Sequence, residues 1–132
     1  MLVIVSFHVA TGAAGGALVR SRPAAVALGF LLHMVGDVIP HDDIPSPRFE
    51  MWSGVAGLTL LAVVRGPFDP ATLGAAAASS PDLEHALRLP QPGGRKLFPS
   101  HRISALHQAG GVPTWFQLLA AGLLLGKLLR RS

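Results

Sequence analysis

The sequence predicts an all-α protein, an integral membrane bundle of about five helices, and three observations carry that reading. Half of the 132 residues are hydrophobic and only 14% are charged, with a mean hydropathy of +0.48. Soluble domains average about 25% charged residues, so these side chains would cover a water-exposed globule poorly. The apolar residues also fall into separate runs bounded by Pro, Gly and Arg, the residues that punctuate helices. The length, 1–132, suits a single domain, and the hydrophobic content excludes intrinsic disorder. The chain has no cysteine, which excludes a disulfide framework and a thiolate metal site. The net charge of +4 comes from scattered basic residues, not from a patch of the kind that follows nucleic acid, so no nucleic-acid partner is expected.

The first apolar run, Leu2 to Val19, is broken only by Ser6, His8 and Thr11. No basic residue precedes it, so it reads as a helix of the bundle rather than a secretory signal. Arg20 to Pro23 punctuate the chain, and Pro23 suits the first turn of a second helix, Ala24–Val38. That helix should stop before Pro40, which disfavours helical geometry at Ile39. The loop from His41 to Arg48 carries Pro45 and Pro47. Met51 to Val64 is the third apolar helix and ends at Arg65-Gly66-Pro67. Pro70 to Ser79 is the fourth, and its run Gly74-Ala75-Ala76-Ala77-Ala78 has the small residues that let backbones approach closely. Ser80-Pro81-Asp82 reads as a fresh start, with Ser80 as cap, for a short surface or re-entrant helix, Pro81–Leu89. A loop from Gln91 to Pro99 follows, and Val112 to Leu129 is the last helix, closed by Lys127, Arg130 and Arg131.

Placement of the polar residues is the most informative feature. Five of the seven acids, Asp37, Asp42, Asp43, Asp82 and Glu84, lie close to histidines. If the helices alternate in direction, the turns at Arg20/Arg22 and Arg65 and the basic C-terminus share one end. His8, His33, His41, His85, His101 and His107 then all share the other. His33 and Asp37 stand one turn apart on one helix face. Ionisable groups inside a membrane are costly and mark function, so these residues are expected to form one site. Imidazole with carboxylate is a ligand set for zinc, manganese or ferrous iron. The metal-ligand candidates are His8, His33, Asp37, His41, Asp82, His85, His101 and His107. That set exceeds one tetrahedral shell, which allows one or two ions, zinc first among them. Asp42 or Glu84 is the candidate general base, and Arg102 or Arg95 the cation that offsets phosphoryl charge. Asp69 reads as a turn residue at the far end.

Several pieces carry a resemblance: His8, Gly29 to Asp37 followed by Pro40-His41-Asp42, Ser80-Pro81-Asp82-Leu83-Glu84-His85, and Ser100-His101-Arg102 with His107. In these the chain resembles the membrane-bound metal-dependent hydrolases of bacterial inner membranes. The Pro-Asp block follows the His-x3-Asp block here, the reverse of the better-known members, as in a sister group. The resemblance implies an inner-membrane location and metal binding. His41-Asp42 is also similar to the paired ligands of HD-type phosphohydrolases.

Together these features lead to the expectation of a metal-dependent hydrolase acting on a phosphoester of a lipid or lipid-linked substrate. Its metal site is expected to face the extracytoplasmic side, because six cations mark the opposite end against five near the site. The alternatives are a non-catalytic metal-binding or structural subunit of a larger membrane assembly and, last, a transporter, whose repeat architecture is missing. Membrane lipid is the expected partner, and an oligomer is compatible with the sequence.

Overall fold

The computed structural model describes residues 4–86, 92–94, 96–102 and 110–130. Among them the protein is all-helical: α1 (Val5–Val19), α2 (Arg22–Val38), α3 (Pro47–Arg65), α4 (Pro70–Ser79) and α7 (Thr114–Leu129) form the bundle, with single-turn helices α5 (Leu83–Ala86) and α6 (Pro99–Arg102) between α4 and α7.

Most boundaries follow from local chemistry. Pro23 sits in the first turn of α2 as expected, and the helix ends at Val38, just ahead of Ile39-Pro40. α3 begins earlier than its apolar run suggests. Pro47 occupies its first turn and the Ser46 hydroxyl accepts from the Phe49 N–H, so a proline that reads as loop opens the helix. α7 starts at Thr114, because Pro113 holds Val112 out of helical geometry. The cap expected at Ser80 is replaced by a different arrangement. The Ser80 hydroxyl donates back to Ala77 O at 3.0 Å, and Ser80–Asp82 form a 3-10 turn that continues directly from α4. Asp69 is the side chain that caps α4, accepting from Ala71 N at 2.9 Å while pairing with Arg65.

α1 is the central helix and packs against α2, α3, α4 and α7. Its small residues make this possible: Ala10, Gly12, Ala13, Gly15 and Gly16 are all buried. A methyl group at Gly12 would collide with the Gly74 carbonyl, and one at Gly16 with the Pro70 carbonyl, so α1 and α4 touch backbone to backbone. Gly29 of α2 meets the same Gly74 carbonyl. Val9, Ala13, Leu61, Ala71 and Ala75 form the apolar core, and Leu125 and Leu128 of α7 lean on it. Arg65 donates to Leu128 O at 3.2 Å, which places the ends of α3 and α7 together, as helix alternation requires.

The surface reverses the usual arrangement. Phe30, Leu31 and Val38 of α2, Trp52 and Val63 of α3, and Trp115, Phe116 and Leu123 of α7 are exposed, while His8, His33, Asp37, Glu50 and Glu84 are buried. Water selects the opposite distribution. Nevertheless, no helix among the described residues is long and apolar enough to cross a membrane, so the spanning bundle expected from sequence lacks that support. α3, the longest at 19 residues, is about 28 Å long at 1.5 Å per residue.

Candidate metal centre

Four segments bring charged and imidazole side chains to one end of the bundle. α2 supplies His33 and Asp37, with His33 Nε2 3.1 Å from Asp37 Oδ2. α1 supplies His8, whose Nε2 lies 3.4 Å from the other oxygen, Oδ1. The 3-10 turn after α4 supplies Asp82. α6 supplies His101, with Nε2 3.7 Å from Asp37 Oδ2 and 3.9 Å from Asp82 Oδ1. Two overlapping triads result, His8–His33–Asp37 and His33–Asp82–His101, and within each the ligand atoms all lie within 4.8 Å of one another.

The hydrogen bonds around the cluster orient it. His33 Nδ1 is 2.8 Å from Ala78 O. A carbonyl only accepts, so Nδ1 carries the proton, and Nε2, on the Asp37 side, is the nitrogen that a metal would take. Glu84 is buried, and its Oε2 accepts from Leu97 N and Phe98 N at 2.9 and 3.2 Å. It thereby ties down the segment that leads into α6 and His101. Burial pushes the Asp82 carboxyl up to about 7; His33 pulls it down, and the Asp37 charge adds to the rise. Burial likewise holds His101 below the usual imidazole range, which favours the neutral form that ligates metal.

Several atoms of this cluster lack a well-aligned hydrogen bond: His8 Nε2, His33 Nε2 and both oxygens of Asp37 face one another only as ion pairs, and His8 Nδ1 and Asp82 Oδ2 have no hydrogen-bond partner. Buried polar atoms are nearly always satisfied, and leaving one bare costs roughly 1–3 kcal/mol. With one atom from each residue, the two triads offer imidazole nitrogen and carboxylate oxygen, a donor set for zinc, manganese or iron.

Gly36 completes the pocket for His8. A Cβ there would lie 2.8 Å from His8 Cε1 and 3.2 Å from Nδ1, so only glycine lets the ring come this close to α2. Gly36→Ala is expected to leave the fold intact, since alanine favours helix by up to about 1 kcal/mol. By displacing His8 it should weaken zinc affinity about tenfold, the scale of a disturbed ligand support. A competition titration against a chelating dye, with a melting curve beside it, checks both halves.

Of the other residues singled out in the sequence, His41 is buried just beyond α2 and donates from Nδ1 to Ile39 O at 2.6 Å. Its Nε2 faces Asp43 Oδ1 at 3.6 Å, and it belongs to neither triad. Asp42 is exposed, and its backbone joins the loop to the start of the last segment by bonding Val112 O at 3.0 Å. Arg102 is exposed on α6, with its guanidinium on Lys96 O. His107, Arg95 and the side chain of His85 lie outside the described residues. Glu50 is the residue that sequence reasoning passed over. It is 1% exposed, its Oε1 accepts from Ile44 N at 3.4 Å, and its Oε2 has no hydrogen-bond partner. A lone acid one turn into an otherwise apolar helix was the available signal.

Fold and site together define a helical protein with a buried His/Asp cluster suited to a divalent metal ion. No family model, no curated protein and no solved structure matches the chain.

Proposed function

We propose that the protein is a membrane-held, metal-dependent hydrolase acting on a phosphoester of a lipid or lipid-linked substrate in a bacterial inner membrane. The convergence of His8, His33, Asp37, Asp82 and His101 carries this reading, and the resemblance to membrane-bound metal-dependent hydrolases agrees with it. These five residues would hold one or two ions, zinc first, with manganese or iron as alternatives. Such an ion supplies Lewis acidity toward a phosphoryl oxygen and lowers the pKa of water.

The protein's own groups supply the remainder. Glu84 has one oxygen committed to backbone and the other, Oε1, without a hydrogen-bond partner, which suits it to accept a proton. Arg102, exposed next to His101, is the cation for the phosphoryl group. The apolar exterior of α2, α3 and α7 supports membrane residence, with the site on the extracytoplasmic side. His8 and Asp37 are fully buried, which favours a second reading, a non-catalytic metal-holding subunit of a membrane assembly.

One measurement tests the membrane residence that both readings share, and a second separates them. In fractionation, the protein should remain with membranes through high-salt and alkaline washes and come away only in detergent; recovery as a monodisperse protein in plain buffer rejects membrane residence. The purified, zinc-loaded protein should release phosphate from an alkyl phosphate, and Glu84→Gln should lower kcat about 100-fold, within the range of lost acid–base catalysis. Full metal content with no hydrolysis of any phosphoester would establish the non-catalytic role.

A further inference from the structure

A cavity of about 560 Å³ opens between α1, α3 and α4. Its volume falls in the range of about 300–1,000 Å³ that holds a single small ligand. Val5, Met51, Val55, Leu58 and Ala76 make its apolar walls. Its polar lining is restricted to a few groups: Arg48, Glu50, Asp82 and the serines that follow Ala78. Asp82 also belongs to the His33–Asp82–His101 triad, so the cavity and the metal centre share a wall.

The polarity of this lining constrains the occupant. An apolar cavity with one metal-ligand residue in its wall suits the hydrocarbon chain of an amphiphile with a charged head. Arg48 provides a cation for an anionic head. Glu50 is buried in the wall with Oε2 lacking a hydrogen-bond partner, an acceptor that a hydroxyl of the ligand would satisfy.

We infer that this cavity takes the single acyl chain of a glycerophosphate-type amphiphile, with its phosphate at the Asp82 end and a free hydroxyl on Glu50. The inference rests on the hydrolase reading for its purpose, but it concerns binding and is tested without turnover.

The probe is a monododecanoyl glycerophosphate carrying a photoreactive diazirine at the chain end. It is added to the purified protein in a steroid-type detergent, which has no linear chain to compete. After illumination, mass spectrometry should locate the label at Val5 and in the stretch from Met51 to Leu58. Unlabelled monododecanoyl glycerophosphate should suppress labelling at least tenfold, and glycerol phosphate alone should not. Val55→Trp fills the slot and should reduce labelling at least tenfold with bound zinc unchanged; Met51→Trp provides the same test from another wall. Glu50→Gln should weaken probe affinity several-fold in the same assay.

Label spread over the exposed faces of α2 and α7 and insensitive to the competitor would overturn the proposal, as would undiminished labelling in both tryptophan variants. A labelled slot in a protein that hydrolyses nothing would retain the binding inference and reject the hydrolase. Phosphate release with no label in the slot would do the reverse.

Discussion

Asp37→Ala is expected to leave the protein without bound metal. Asp37 is fully buried and touches three of the imidazoles: His8 at 3.4 Å, His33 at 3.1 Å and His101 at 3.7 Å. Its two oxygens face different histidines, so it connects the two triads, and its loss removes a ligand and the negative charge that holds a cation there. The same physics makes an uncompensated Asp37 untenable, since an isolated buried carboxylate costs far more than one hydrogen bond returns. Elemental analysis after dialysis should find metal in the parent protein and in Asp69→Ala, whose carboxylate pairs with Arg65 and caps α4 at the opposite end. It should find little in Asp37→Ala, His33→Ala or Asp82→Ala. Full occupancy in all three would make the cluster a polar core and remove the basis for hydrolysis.

Gly74→Val is expected to be strongly destabilising. A Cβ at this position would strike the Gly12 carbonyl and come within 3.2 Å of Gly16 Cα. Both obstacles are backbone, so no side-chain rotation relieves them, and α4 would have to move off α1. Overpacking of this kind costs about 3 kcal/mol at the upper end of its usual range, a large share of the stability of a small domain. Because α4 leads directly to Asp82 and its Ala78 carbonyl fixes His33, metal affinity should fall with stability. Gly126→Ala in α7 is the control: nothing lies within 4 Å of a Cβ there, so it should be neutral or stabilising. Thermal melts of the two variants check the contrast, and equal melting temperatures would mean that α1 and α4 do not meet backbone to backbone.

Much of the helical layout could be read directly from sequence. The stop of α2 ahead of Pro40, the small-residue character of α4 and the pairing of His33 with Asp37 follow from proline sterics, side-chain volume and the 3.6-residue turn. The starts of α3 and α7 were less legible, because a proline that ends one segment can equally open the next, and only its neighbours settle which. Ser80 shows the same limit: its hydroxyl had a cap to make or a turn to close, and packing of the preceding helix decided for the turn.

The site divides in the same way. The sequence by itself determined that imidazoles and carboxylates gather in a few segments of an apolar chain, and helix periodicity put His33 and Asp37 on one face. Tertiary structure decided which members converge. His8 joins them because Gly36 lets its ring rest on α2, and His101 joins because Glu84 holds the segment before it. Asp42, adjacent in sequence to a buried histidine, faces solvent instead, and Glu50, in a helix that carries no histidine, is buried against the cavity. The physical reason is reach: periodicity relates residues within one helix, whereas contacts between helices depend on how closely their backbones approach, which here is set by glycines on facing surfaces.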